Sequence, residues 1–404
     1  MTIRRLHVVG AGLAGLAAAV AATRAGTPVV LHEAAGHAGG RCRSFRDETL
    51  GRLIDNGTHL VLGANRTTLA YARTVGGLEA MERRPPRFPF RDLASGRGWE
   101  MSPLGLAARP LDLLRAAGLP WTGSDETVAA RLSATRAYRD LWEPLCVAAL
   151  NTAAEEASAR LFARLLRLAL SSGRQALVPW VFPVGLSAAL VAPALATLAA
   201  HGAELRFRHR LQAVRSGMLE FDDGPLALGE NERVVLALPP WALAGMLPGL
   251  PVLATRAIVN AHFRLEHPVR LPGDQPFLGL TGGMGQWLAL RDDVLSVTVS
   301  AADRPAAEPA EQVGARLWRE VAAVLGDPDR PQPPTRIMKE RRATLLHSPA
   351  ETRRRPGPLT PLPGMVLAGD WLDSAWPCTI EAAITSGLAA ARLALGDREL
   401  AFAH

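Results

Sequence analysis

Apolar residues along this chain change texture three times, and the order of the textures predicts its architecture. Arg5–Val9 (RLHVV) is a short buried strand. Glycines follow it, then the alanine-rich stretch Leu13–Ala25, which reads as a buried helix. Gly26 ends that helix, and Pro28–His32 (PVVLH) is a second strand closing with Glu33. Together they form a βαβ unit of the length a parallel crossover needs. From about residue 70 to 180, leucine, alanine and arginine recur at helical spacing with few strand signals. Thr127–Tyr138 and Ala157–Leu170 are predicted helices; in the second, Leu161, Leu165 and Leu168 share one face and Arg160, Arg164 and Arg167 another. Strand character returns at Glu204–Val214 and at Arg233–Leu238, which runs into Pro239 and Pro240. Residues 255–345 are mixed, with an alternating strand at Leu295–Ser300 and a helix near Glu311–Leu325. Asp327–Pro334 is a loop by its prolines. Met365–Ala368 predicts a last strand and Thr379–Leu395 a closing helix. No internal repeat is present.

Composition narrows this picture without redirecting it. With 404 residues, 48% hydrophobic and 21% charged, the chain is globular and exceeds what one core usually holds, so two lobes are expected. Cys42, Cys146 and Cys378 fall at unrelated spacings with no CxxC or Cys/His cluster. Neither a disulfide framework nor a metal site is indicated, and a reducing, cytoplasmic compartment is expected. The net charge of +7 is almost wholly arginine, Lys339 being the sole lysine. Basic residues are scattered and no nucleic-acid motif accompanies them, so nucleic acid is not an expected partner. The apolar run Val8–Ala22 carries glycines at special spacing and no cleavage-site context, so it is not read as an export signal. No other stretch suits a spanning helix, and a membrane, if met, is met from its surface.

The strongest chemical signal is Gly10-Ala11-Gly12-Leu13-Ala14-Gly15, between a strand and a helix. Gly10 permits the tight turn, Gly12 lets backbone approach a pyrophosphate, and Gly15 allows close helix–strand packing. The pyrophosphate then sits at the positive end of the helix, against Leu13 and Ala14. Glu33, closing the second strand, accepts hydrogen bonds from ribose hydroxyls. Gly39, Gly40 and Arg41 follow at once, and this GGR resembles the extended dinucleotide motif of the flavin-containing amine oxidase and phytoene desaturase superfamily. That resemblance implies FAD rather than NAD.

The C-terminal end matches it. Leu367-Ala368-Gly369-Asp370-Trp371 resembles the superfamily's strand-ending GD element, whose Asp reaches the ribityl chain and pyrophosphate. Pro377-Cys378-Thr379-Ile380-Glu381 opens a helix whose N–H groups would face the flavin pyrimidine oxygens. The resemblance also implies that the strand ending near Val214 meets the adenine with its backbone, at Leu211. The implied fold class is α/β (α+β overall). A Rossmann-like FAD/NAD(P)-binding lobe comprises residues 1–70, 181–240 and 361–404, and a mixed, helix-rich substrate lobe comprises 71–180 and 241–360.

The central segment Leu141–Thr152 (LWEPLCVAALNT), continuing through Glu155–Ala159, closely resembles the hydroxysqualene dehydroxylases, squalene-associated FAD-dependent enzymes of hopanoid synthesis. Asp55–His59 (DNGTH), Lys339–Thr344 and the GDW…TIE ending share that resemblance, which covers nearly the whole chain. Ala382, Thr385 and Cys378 depart from it, where the family tends to glycine, arginine and alanine. The resemblance implies reductive dehydroxylation of a long-chain isoprenoid, hydroxysqualene, by reduced FAD, with an electron donor that sequence does not name. Candidate acids for hydroxyl loss are His59, Glu143, Asp373 and Glu381. Trp371 and Trp376 bracket the flavin loop, as an apolar wall or as core. With only Tyr71 and Tyr138 present, a tyrosine cage for an amine substrate is not expected. The alternatives are a carotenoid-type desaturase and, in another class, a prenyl-lipid carrier without FAD. A bilayer-borne substrate implies peripheral contact with the inner face of the cytoplasmic membrane, through the leucine- and arginine-bearing segments between about residues 100 and 180.

Overall fold

The computed structural model describes residues 3–107, 109–118, 125–171, 173 and 175–402. Five parallel strands form one sheet in the order Glu204–Phe207, Val29–Glu33, Arg5–Val9, Glu232–Leu236, Met365–Leu367. The strands come from both ends and the middle of the chain. The helix Leu13–Arg24 is buried from Leu13 to Thr23, so it has no polar face. It packs on the sheet beside the closing helix Ile380–Leu395, sharing one core with Val8, Leu31, Ile384 and Leu388.

A seven-stranded sheet runs in the order Thr335–Leu345, Thr255–Arg264, Val294–Val299, Trp287–Arg291, Phe277–Thr281, Phe88–Asp92, Gly98–Met101. Strand alternation explains its two faces. Along Thr255–Arg264, Ala257, Val259, Ala261 and Phe263 pack in one core with Val313, Leu317 and Val321 of the helix Ala310–Val324. Asn260 and His262 point the other way and are also buried. Asn260 donates to the Asn56 carbonyl (3.4 Å) and accepts from the Thr298 hydroxyl (2.8 Å), tying this sheet to the loop that follows the nucleotide motif.

Three expectations are corrected. The helix expected over Thr127–Tyr138 covers only Val128–Leu132, followed by a π turn at Tyr138–Trp142. The Thr135 hydroxyl donates to the Leu132 carbonyl and competes with helix continuation. The strand expected over Glu204–Val214 is two strands in different sheets, Glu204–Phe207 and Leu211–Arg215. They part at Arg208, which adopts a left-handed φ of 54° and donates its N–H to the Ala35 carbonyl. Between residues 70 and 180, Phe88–Asp92 and Gly98–Met101 are strands; the first pairs parallel with Phe277–Thr281. Pro89 and the flanking charges masked the period-two signal in the first, and the second is a sheet edge, which needs no clean alternation.

His7 and His32 of the parallel sheet and His209 of the loop after Glu204–Phe207 form a buried row of three imidazoles. His7 Nδ1 and His32 Nε2 lie 3.1 Å apart, His32 Nδ1 and His209 Nδ1 2.9 Å, and His209 Nε2 lies 2.8 Å from Asp223. Burial lowers the pKa of His7, and lowers that of His32 to about 3. Burial likewise lowers His262 and His347 to about 4. An unfolded histidine titrates near 6.5, so between these values the unfolded chain binds more protons. Stability is therefore fully present above about pH 6.5 and lost as pH falls toward 4, by several kcal/mol in sum. Thermal unfolding followed from pH 7.5 to 4.5 should show the midpoint falling steeply. In His32→Gln the slope should be shallower, and an unchanged slope would assign the acid lability elsewhere.

Candidate functional site

The glycine turn is packed on two sides and open on the third. Gly10 has φ +103°, and a Cβ there would fall 2.5 Å from the Ala237 carbonyl oxygen; at Gly15 it would fall 1.8 Å from the Gly10 oxygen. At Gly12 nothing lies within 4 Å. The helix begins at Leu13 and Ala14 with no side-chain cap and no acidic residue in its first turn. Its positive end therefore faces free space, as a pyrophosphate requires.

Two loops converge on this turn. Gly39 donates its N–H to the Ala11 carbonyl (2.8 Å), and a Cβ on Gly40 would lie 3.4 Å from the Gly12 Cα. The Glu33 carboxylate accepts from the Ala11 N–H (2.7 Å) with one oxygen and from the Ala35 N–H (2.8 Å) with the other. Each oxygen keeps a lone pair for a ribose hydroxyl. Arg41 then reaches the C-terminal element, its Nη2 donating to Asp370 Oδ1 at 2.7 Å and its Nη1 to the Ala343 carbonyl at 2.5 Å. The sequence motifs GGR and GD thus meet as an ion pair. Leu211 is buried in a core with Val9, Leu236 and Phe221.

The last loop is held by residues that motif reading did not single out. Gly369 donates its N–H to the Ser386 hydroxyl (2.9 Å). Arg355, only 5% exposed, donates to the carbonyls of Asp370 (2.8 Å), Trp371 (3.2 Å) and Trp376 (3.0 Å). His347 receives the Cys378 N–H at Nε2 (3.1 Å). Thr379 caps the closing helix, its hydroxyl accepting from the Ala382 N–H at 3.2 Å, and Ile380 opens that helix. Trp371 is core, its indole N–H bonded to the Leu238 carbonyl, while Trp376 is half-buried. The Thr385 hydroxyl is buried and meets no protein partner. An open Gly12, a carboxylate with spare lone pairs and this unmatched hydroxyl all fit a polar ligand such as FAD.

The four candidate acids part company. Glu381 is 3% exposed and accepts from the N–H groups of Thr67 and Thr68 and from the Thr68 hydroxyl. It anchors the helix Arg66–Thr74. Asp373 is exposed, and its N–H is bonded to the Pro356 carbonyl. Glu143 is half-buried at the start of the helix Glu143–Leu150; burial first, and Glu155 second, raise its pKa. His59 keeps accessible surface, yet burial lowers its pKa, with Asp55 opposing and Arg41 adding to the shift. Its neighbour Asp55 is a structural crosslink, accepting from the Ser44 hydroxyl, the Leu186 N–H and Arg291.

The central segment is bound to the rest by its polar residues. Asn151, left-handed at φ 48°, accepts from the Ala301 N–H (2.6 Å) and donates to the Thr344 hydroxyl (3.0 Å). The Thr152 hydroxyl accepts the His347 N–H (3.1 Å). Tyr71 is fully buried with its hydroxyl on the Leu190 carbonyl, so it is unavailable for a substrate cage. Lys339 donates to the Glu308 carbonyl.

Residues 13–395 match the family model described as flavin containing amine oxidoreductase. Hydroxysqualene dehydroxylase of Sinorhizobium fredii is 40% identical, covering 98% of this chain and 99% of that protein. The enzyme of the same name from Zymomonas mobilis is 34% identical over 96% and 98%. Among solved structures, cyclohexylamine oxidase of Brevibacterium oxydans superposes with a TM-score of 0.70 at 15% identity, covering 99% of this chain and 100% of that one. Putrescine oxidase bound to putrescine gives 0.69 at 17%, over 97% and 99%. At such identities these two speak for the fold alone.

Proposed function

The chain belongs to the flavin-containing amine oxidoreductases and, within them, to the hydroxysqualene dehydroxylases, and from that premise we propose that it converts hydroxysqualene to squalene. The observation that carries this reading is the match to those enzymes along practically the whole chain, central segment included. One C–O bond breaks and one C–H bond forms; the hydroxyl leaves as water with one added proton. Bound FAD in its reduced form supplies the hydride, and a two-electron donor must restore it.

We assign the cofactor to Gly10, Gly12, Leu13, Ala14 and Gly15 at the pyrophosphate, Glu33 at the ribose, and Gly39, Gly40 and Arg41 alongside. Leu211 serves the adenine; Gly369, Asp370, Thr379 and Ile380 serve the flavin end. Residues 1–70, 181–240 and 361–404 are proposed as the lobe that holds it, with 71–180 and 241–360 holding the isoprenoid. His59 is proposed as the group that hydrogen-bonds and protonates the departing hydroxyl. It is accessible and within electrostatic reach of Arg41 and Asp55. Glu143 stands at the far end of its eight-residue helix, roughly 10 Å from the end that meets His347.

Anaerobic incubation of the flavin-reduced enzyme with hydroxysqualene should give squalene and oxidised flavin. Flavin reduction by a polyene precursor, with hydroxysqualene untouched, would replace this reading with a desaturase. With its pKa lowered, His59 is neutral at pH 7, and its protonated fraction grows as pH falls. Initial rates should therefore rise from pH 7.5 toward 5.5. His59→Gln should lower turnover on the order of a hundredfold and flatten that rise; a retained rise would transfer the role to another group.

No helix among the described residues is long and apolar enough to cross a membrane. Surface contact with an anionic bilayer at the cytoplasmic face is proposed through the helices Pro110–Ala116 and Ala159–Ser171. Leu111, Leu114 and Leu170 stand exposed there, beside exposed Arg109, Arg115 and Arg167. Residues 119–124 of that stretch lie outside the described residues. Cosedimentation with phosphatidylglycerol vesicles at low salt is the check, and its absence there would remove the proposal.

A further inference from the structure

We propose that His347 is a positioning residue that couples the central segment to the flavin end of the site by holding one neutral tautomer. The inference rests on the FAD assignment and not on the identity of the substrate.

His347 is 1% exposed and each of its polar groups has one partner. Nδ1 lies 2.7 Å from the Leu150 carbonyl, which only accepts, so Nδ1 carries the proton. Nε2 lies 3.1 Å from the Cys378 N–H, which only donates, so Nε2 must offer its lone pair. The backbone N–H of His347 goes to the Thr152 hydroxyl, and its carbonyl receives the Ser158 N–H (2.8 Å). Leu150, Thr152 and Ser158 belong to the central segment. Cys378 immediately precedes Thr379, the cap of the closing helix. One imidazole therefore sets the height at which that helix presents its first turn.

The charged groups around the ring offset one another. Arg355 and Asp370 act on it with opposite signs from the loop side, and burial is the largest influence, keeping the ring neutral down to about pH 4. The neighbouring Cys378 thiol, pushed up to about 12 by burial, stays uncharged beside it. Protonating His347 would set an Nε2–H against the Cys378 N–H, two donors at 3.1 Å. The helix start would then have to move. A glutamine can restore both bonds, because its amide carries an NH2 donor and a carbonyl acceptor; a leucine restores neither.

The test compares holoenzyme carrying His347→Leu and His347→Gln with the parent. Leucine should raise the Kd for FAD about tenfold and shift both the flavin midpoint potential and its visible spectrum. Glutamine should stay within about threefold of the parent in Kd and keep its potential and spectrum. The parent spectrum should change reversibly below pH 5, and His347→Gln should not follow it. A leucine variant with parental affinity, potential and spectrum would overturn the inference. Should the variants fold poorly, nitrogen NMR of the parent decides, since a protonated Nε2 in His347 at pH 7 is incompatible with it. Loss of hydroxysqualene turnover in an enzyme whose flavin responds as described would count against the substrate, and leave this inference standing.

Discussion

Gly387→Val is expected to leave little soluble protein and no retained flavin, although Gly387 is not itself a proposed cofactor residue. A Cβ at this position would fall 2.0 Å from the carbonyl oxygen of Ala14 and 2.9 Å from the Ala17 Cβ. The first of these is backbone, and it belongs to the turn that follows Gly12. Nothing flexible can yield, so the closing helix must lift from Leu13–Arg24. Both helices are buried in one core, where overpacking costs about 3 kcal/mol or more. The lift would also displace the N–H groups proposed to hold the pyrophosphate. Gly12→Ala is the informative contrast, because a Cβ there meets nothing within 4 Å. That variant should keep the parental unfolding midpoint in its apo form and lose FAD affinity by obstruction alone. The ratio of flavin absorbance to protein absorbance, with thermal unfolding, separates the two. Parental flavin content in Gly387→Val would refute the close-packing argument.

Gly387 also illustrates where sequence reading stopped. Gly10, Gly12 and Gly15 announce themselves because the turn, the strand before it and the helix after it are local. Gly387 is spaced like any glycine in an alanine-rich helix, and its partner lies at the other end of the chain. Arg355 and His347 escaped for the same reason: each is defined by carbonyls and N–H groups of residues 370–378 and, for His347, 150–158. A single sequence carries no record of such pairings. The central segment was legible only as a resemblance, whereas its physical use is in Asn151 and Thr152, which bind it to Ala301, Thr344 and His347. Among the acid candidates, membership of the TIE motif suggested Glu381, yet that carboxylate is consumed by Thr67 and Thr68. Motif membership located the neighbourhood; only burial and partners assigned the work.

Asp370 is the position at which charge and packing meet the proposed cofactor site, and Asp370→Asn should lose both stability and FAD. Its carboxylate is 6% exposed and lies 2.7 Å from Arg41 Nη2. Burial pulls the Arg41 pKa down, and Asp370 more than reverses that pull. Neutralising the aspartate leaves the guanidinium, whose side chain is 38% exposed, without its ion pair, and with solvent screening the loss costs about 1–2 kcal/mol. Removing both charges in Arg41→Met/Asp370→Asn should return much of the apo-protein stability, because no unpaired charge remains. It should not return FAD binding, since the group proposed to receive the ribityl chain is still absent. The single variant is thus expected to show a lowered unfolding midpoint and FAD affinity reduced at least a hundredfold, about 3 kcal/mol. The double variant is expected to show the second defect without the first. Thermal unfolding of the apo forms and fluorescence titration with FAD measure the two separately. Recovery of FAD binding along with stability would mean that Asp370 serves only to neutralise Arg41, and the cofactor role would pass to the backbone of Gly369 and the closing helix.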